Sequence, residues 1–190
     1  MFVRNWMSAP AVTVPASMSA PEALALMEKR KFRRLPVVDG DKLVGILTKV
    51  DLQKALGPVP ATWNRMKLRV SDVMVKDVVS VDAGETLEGV AKLMLARKIA
   101  GLPVLDGGRV VGLITESDVF RALCEMLGFG EKGARVVFTA PEESDLLDAI
   151  RRRGAGLKLR ALSSHFNKKD KRWEVVLRLR SRATAKAGAS

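Results

Sequence analysis

The chain is built twice from one pattern. Shifted by 67 positions, the sequence aligns with itself without a gap over roughly 50 positions. Met7 falls on Met74, Val12 and Val14 on Val79 and Val81, Leu26-Met27 on Leu93-Met94, and Arg30-Lys31 on Arg97-Lys98. Leu35-Pro36-Val37 falls on Leu102-Pro103-Val104 and Asp39-Gly40 on Asp106-Gly107. Val44-Gly45, Thr48, Asp51 and Ala55-Leu56 meet identical residues as well. Such a chain folds as two copies of one structural unit. Neither copy has the pattern to cover its own apolar face, so the two are expected to pack together about a pseudo-two-fold axis.

Within a copy the order reads strand, helix, strand, strand, helix. Ala11 to Val14 is a brief β-rich run, and Ser19-Ala20-Pro21-Glu22 opens a helix with Ser19 at the N-cap and Pro21 in the first turn. Ala23, Leu26 and Met27 keep helical spacing, as do Leu87, Val90, Ala91 and Met94 in the second copy. Asp39-Gly40-Asp41 and Asp106-Gly107-Gly108 are hairpin turn signals between apolar runs. Gly57-Pro58-Val59-Pro60-Ala61 stops a helix and starts a linker, from which Trp63 and Met66 are expected to pack back on the pair. Ser71-Asp72 reads as the cap of a short helix leading to Met74. Beyond the break at Gly128 to Gly133, Ala134 to Phe138 reads as a strand and Glu142 to Arg153 as a helix opened by Pro141. Leu157 to Phe166 and Trp173 to Leu179 read as two further strands. The expected organisation is a first unit at 1–57, a linker at 58–70, a second unit at 71–127, a small third unit at 133–182 and a flexible tail at 183–190.

Chemistry concentrates at one recurring segment. Gly45-Ile46-Leu47-Thr48-Lys49-Val50-Asp51 returns as Gly112-Leu113-Ile114-Thr115-Glu116-Ser117-Asp118, each a strand emptying into a helix start. Backbone N–H groups, a hydroxyl and a carboxylate meet there; phosphates favour the N–H groups, and an acid at such a turn can accept ribose hydroxyls. A capping box accounts for the same residues with no ligand: Thr at the N-cap and an acid three residues on satisfy orphan N–H groups. Both readings stand on the residues alone, and the repetition favours the ligand.

Charge divides the chain. Residues 151–190 hold 13 Lys or Arg against Asp170 and Glu174, so they carry nearly all of the formal net charge of +12. Apolar residues make up 47%, the share of a globular protein. No apolar run approaches the roughly 20 residues that span a bilayer, and the start lacks the apolar core of a secretory signal. A cytoplasmic protein with no membrane association is expected. Cys124, the single cysteine, sits in a helical apolar pattern and is expected to be a buried small hydrophobe. His165 is the single histidine, so a transition-metal site of ordinary composition is not expected. Neither a Gly-x-x-x-x-Gly-Lys-Ser/Thr loop nor a Gly-x-Ser-x-Gly elbow is present, and no catalytic constellation emerges. An enzyme is not expected.

The repeated unit resembles a CBS domain, and residues 1–127 are similar to a tandem CBS pair, or Bateman module. Arg34-Leu35-Pro36-Val37-Val38-Asp39, Gly101-Leu102-Pro103-Val104-Leu105-Asp106 and the two Gly-x-x-Thr-x-x-Asp segments carry the likeness together. The pair followed by a small α/β piece resembles the acetoin-utilisation protein B group, whose last domain is similar to ACT domains; here only β-α-β-β is available, a truncated version. The fold class this implies is α/β (α+β), two CBS units followed by an ACT-like unit, commonly as a homodimer.

The resemblance implies a regulatory ligand, AMP, ADP, ATP or a related adenosyl compound, and no required cofactor. One cleft would join Thr115 and Asp118 with Thr13, Phe32, Arg33 and Arg34; the other would join Thr48 and Asp51 with Ser80, Ile99, Ala100 and Gly101. Arg33 and Arg34 have Ala100 and Gly101 as their counterparts. Because Arg grips phosphate in a fixed fork, a phosphorylated ligand is expected to prefer the Asp118 cleft. Lys158, Arg160, Arg178 and Arg180 on an outer strand face read as solvated surface first, as a polyanion contact next, and thirdly as part of strand pairing between ACT-like units in a dimer, which can coexist with either. The alternative function is a nucleic-acid-binding or polyanion-binding protein that uses the basic C-terminal segment, with the CBS pair as a dimerisation scaffold.

Overall fold

The computed structural model describes residues 1–57, 67–130, 132–154 and 156–181. Trp63, Met66, most of the linker and the tail from residue 182 lie outside the described residues. The chain divides into two compact units, Met1–Val119 and Phe120–Ser190.

The first unit is a mixed α+β structure whose symmetry follows the repeat. Its elements are β1 (Val14–Pro15), α1 (Ala20–Arg30), β2 (Arg34–Asp39), β3 (Lys42–Thr48), α2 (Lys49–Ala55), α3 (Val70–Val73), β4 (Val81–Asp82), α4 (Leu87–Arg97), β5 (Gly101–Asp106), β6 (Arg109–Thr115) and the start of α5 (Glu116–Met126). The six strands form one sheet in the order β1-β2-β3-β6-β5-β4, which reads the same from either end. Its centre is the pair Lys42 and Arg109, which are counterparts in the two copies. Both hairpins turn where the Asp-Gly signals stand, with Gly40 and Gly107 in the left-handed region that favours glycine.

The two copies also exchange their leading segments. Ser8 pairs with Leu113 and, at the equivalent place, Val75 pairs with Ile46. Phe2 bridges Thr86, as Arg69 bridges Ser19. Each copy therefore completes the other, and neither closes its own edge. The 3₁₀ turn Val3–Asn5 is the counterpart of α3.

Local signals explain most helix starts. At α1, Ser19 accepts from the Glu22 N–H while Glu22 reaches back to the Ser19 N–H, a full capping box with Pro21 inside the first turn. Ala20, Ala23 and Met27 are buried on the same helix. The short α3 begins two residues earlier than a cap at Ser71 implies: Asp72 accepts from the Arg69 N–H at 2.9 Å, so it caps from inside the helix and Arg69 is the N-cap. Ser71 instead donates its hydroxyl to Asp72.

Cys124 is exposed, contrary to the expectation from its apolar pattern. On α5 the buried positions are Asp118 and Ala122, one helical turn apart. Cys124 lies two residues beyond Ala122, roughly 200° around the helix, on the opposite face.

The second unit is a three-stranded antiparallel sheet, β7 (Ala134–Pro141), β9 (Arg172–Ser181) and β8 (Leu157–Asn167), in the order β7-β9-β8 with α6 (Leu146–Arg153) on one face. Val175, Leu177 and Leu179 of the central strand form its core, packed by Leu146 and Ile150 of the helix together with Val136, Phe138 and Trp173. The helix is shorter than the expected Glu142 to Arg153. Pro141 is the last residue of β7, paired with Arg172, and Asp145 supplies the N-cap by accepting from the Asp148 N–H at 3.0 Å.

Candidate functional site

Both Thr-x-x-Asp segments set the Thr hydroxyl against the Asp three residues on, with one bond more in the second copy. Thr48 caps α2, accepting from the Asp51 N–H at 3.2 Å and donating its hydroxyl to the Asp51 carboxylate at 2.5 Å. In the second copy Asp118 accepts from both the N–H (2.9 Å) and the hydroxyl (2.7 Å) of Thr115. The capping chemistry is therefore present in each copy, and it leaves the question of a ligand to the surroundings.

Those surroundings contain a cavity of about 380 Å³ in the first unit, within the roughly 300–1,000 Å³ typical of small-molecule sites. Lys31, Phe32, Arg33 and Arg34 of the first copy line one side; Ala100, Leu113, Thr115, Glu116 and Ser117 of the second line the other. Ser8, Pro10, Ala11 and Val12 of the exchanged leading segment complete the wall. The strand exchange is what brings them there: Ser8 is held against Leu113 by a pair of backbone hydrogen bonds, 2.9 and 3.0 Å.

Of the residues expected in the preferred cleft, Phe32, Arg33, Arg34 and Thr115 line this one cavity. Thr13 and Asp118 are outside its lining, each next in sequence to a lining residue. Asp118 is buried, 5% exposed, and meets the cleft wall through its bonds to Thr115.

Two members of the second set, Ala100 and Gly101, adjoin the same cavity; Thr48, Asp51, Ser80 and Ile99 are outside its lining. Ala100 lines the first cavity, and a side chain at Gly101 would collide with the Arg34 guanidinium. Thr48 and Asp51 are tied together as a cap; Ser80 and Ile99 are half-buried.

Electrostatics separate the two arginines. Arg33 is exposed and Arg34 half-buried. Burial pushes the Arg34 guanidinium below its ordinary pKa, the nearby Glu116 works against that shift, and Arg33 adds to it; Arg34 stays charged throughout the physiological range. Three cations, Lys31, Arg33 and Arg34, face one carboxylate, Glu116, across a wall otherwise rich in apolar side chains. This arrangement suits a flat apolar group carrying negative charge at one end.

Lys31 and Glu116 were not among the expected residues. Lys31 ends α1 in the left-handed conformation, which swings the chain into Phe32. Glu116 had a signal available: its counterpart is Lys49, the one charged position within the Thr-x-x-Asp segment whose sign reverses between copies. Lys49 pairs with Glu28 at 3.4 Å. Among the described residues no group of three or more His, Cys, Asp or Glu could hold a metal ion, and no helix is long and apolar enough to cross a membrane.

The chain belongs to the CBS-domain family, which it matches at residues 3–58 and 70–125. It is 38% identical over 105 residues to an uncharacterized protein of Methanocaldococcus jannaschii, covering 50% of this chain and 37% of that one. It spans only 22% of an L-aspartate semialdehyde sulfurtransferase from the same organism and 21% of an inosine-5'-monophosphate dehydrogenase of Korarchaeum cryptofilum, so those likenesses concern the CBS part alone.

Among solved structures, a CBS pair crystallised with 5'-methylthioadenosine and S-adenosyl-L-methionine superposes with a TM-score of 0.57 at 33% identity, over 65% of this chain and 95% of that one. The AMP complex of CBSX2 gives 0.58 at 29%, over 66% and 97%. A protein of Vibrio cholerae assigned to acetoin utilization (AcuB) gives 0.61 at 30%, over 70% and 98%.

Proposed function

We propose that this protein is a non-catalytic regulatory module that binds an adenine nucleotide or related adenosyl ligand in the cleft between its two CBS copies. The observation that carries this reading is the cavity joining Phe32, Arg33 and Arg34 of one copy to Thr115 of the other. Phe32 offers an aromatic face to adenine. Arg34, held half-buried at the wall, offers a preorganised fork to phosphate. Thr115, capping α5 with the Asp118 carboxylate behind it in the bonding chain, offers polar contacts to ribose. CBS-pair structures that hold AMP, S-adenosylmethionine and methylthioadenosine support the ligand class.

Occupancy is transmitted to a homodimer or to the C-terminal unit, whose β-α-β-β order suits a truncated ACT-like domain. A ligand can shift such an equilibrium only by its difference in affinity for the two states. The domain bounds that go with this reading are 1–57, 71–127 and 133–182.

Titration calorimetry with AMP, ADP, ATP and S-adenosylmethionine tests it. One equivalent of a phosphorylated ligand per chain is the expected result. Absence of heat from all four ligands removes the reading, and equal filling of two sites by AMP removes the preference for the Arg34 cleft.

A further inference from the structure

The second unit carries a cationic sheet face that the cleft reading does not use. Strand register places Arg135 directly opposite Arg178 and Lys158 directly opposite Arg180. Val175, Leu177 and Leu179 alternate with them on β9 and pack toward α6, so these four cations share the other face. Like charges directly opposite one another destabilise a sheet. Among the described residues none of Arg135, Lys158 and Arg178 lies within ion-pair distance of a carboxylate. Arg178 and Arg180 are half-buried, and the Arg178 Nε is buried without a hydrogen-bond partner.

An aromatic ring is set into this face. Gly128, at φ +64°, brings the chain after α5 so close that a Cβ there would lie 2.9 Å from the Ala161 Cβ and 3.2 Å from the Arg178 Cγ. That close approach fixes Phe129, which is 56% exposed and has the Arg178 guanidinium 5.5 Å from its ring centroid. Beside the ring is a cavity of about 410 Å³ lined by Glu125, Phe129, Lys132 and Arg180. Lys132 also borders the adjoining hollow with Arg160 and Arg178.

We propose that this face binds single-stranded nucleic acid, one base stacked on Phe129 and the flanking phosphates on Lys132, Arg178 and Arg180. Cations alone would serve any polyanion. An exposed aromatic face in their midst is useful only to a ligand with unstacked bases, because base–aromatic stacking is sequence-tolerant and a duplex hides its base faces. Glu125 supplies an acceptor for a base N–H, such as the N3–H of thymine. A phosphate between Arg135 and Arg178 relieves the repulsion that their register imposes.

The test is fluorescence anisotropy on the full chain with a labelled oligothymidylate of about 12 nucleotides, against a duplex of equal length and inorganic polyphosphate, from about 50 to about 200 mM salt. Single strand is expected to bind at least about fivefold more tightly than either competitor, and Phe129→Leu to remove that preference. Lys132→Ala with Arg180→Ala is expected to reduce the magnitude of the log–log salt slope by about 1.4, two phosphate contacts at about 0.7 each. Far-UV circular dichroism and a thermal melt verify folding; if the double variant is unfolded, Lys158→Glu at an exposed position replaces it and is expected to weaken binding. A chain ending at residue 181 is expected to retain the single-strand preference. Equal affinity for duplex and polyphosphate overturns the proposal, as does binding insensitive to Phe129→Leu, binding lost with residues 182–190, or no binding at the lowest salt. None of these outcomes depends on whether the cleft takes a nucleotide.

Discussion

The Arg34 guanidinium occupies the volume that a side chain at Gly101, its own counterpart in the second copy, would need. Gly101 pairs directly with Thr115, and Arg34 with Thr48. One arginine thus crosses between equivalent positions of a pseudo-symmetric pair, and the glycine opposite is what admits it. A second arginine at 101 would meet the first in the same space with the same charge. The asymmetry between the clefts is in this sense obligatory once Arg34 takes this rotamer.

This relationship predicts two different losses. Arg34→Ala is expected to weaken AMP about 10- to 100-fold, the worth of charge-assisted hydrogen bonds of about 1.5–3 kcal/mol, and to leave adenosine within about twofold. Gly101→Ala keeps the arginine but displaces it. The atoms it strikes are the far end of a flexible side chain, so the melting temperature should stay nearly unchanged while AMP affinity falls. Calorimetry with AMP and adenosine on both variants, beside thermal melts, separates these effects. A Gly101→Ala protein that binds AMP normally would show that the position of Arg34 is immaterial.

Asp51 accepts only the Thr48 hydroxyl, whereas Asp118 accepts the Thr115 backbone N–H as well, so Asp118→Ala should cost the more stability, about 1 kcal/mol for the lost partner of a helix-start N–H. Asp118 is the more deeply buried, at 5% exposed, and accepts two bonds from Thr115. Its loss should also loosen the cleft wall, lowering nucleotide affinity at least tenfold, whereas Asp51→Ala should leave that affinity nearly intact. Denaturant melts with parallel nucleotide titrations measure both quantities. Equal, small affinity losses in the two variants would reduce Asp118 to an end-cap.

Much of this was legible in the residues because the repeat supplied an internal control. The ungapped offset pointed to the paired units, and Asp-Gly and Ser-x-x-Glu marked turns and caps whose satisfaction is local. The cleft was harder. Phe32, Arg33, Arg34 and Thr115 can be named from the residues, but the repeat alone does not say that Arg34 lies over Gly101 or that Ala100 lines the same cavity as Arg34. An apolar helical pattern does not say which of its faces has a partner, which is why it misplaces the exposed Cys124. The start of the helix after Pro141 is not legible either, because a proline that can open a helix can equally end a strand, and here Asp145 holds the cap.

The exchanged leading segments make the last prediction. A Cβ at Gly112 would come within 2.5 Å of the Met7 Sδ and 3.1 Å of the Ser8 carbonyl oxygen; at Gly45 it would collide with the Met74 sulfur and lie 3.2 Å from the Val75 carbonyl oxygen. Each methionine can swing aside. Neither carbonyl can, because Ser8 is hydrogen-bonded in both directions to Leu113 and Val75 to Ile46. Gly112→Ala and Gly45→Ala should therefore each cost about 1–3 kcal/mol, the usual range for overpacking, and lower the melting temperature by about 2–4 °C per kcal/mol in a chain of this size. Adding Met7→Ala to Gly112→Ala removes the sulfur clash and leaves the carbonyl, so the double variant should be more stable than additivity of the two single changes allows, yet still below the parent. Strict additivity in that cycle would mean that Met7 and Gly112 do not share the contact through which the two copies hold one another.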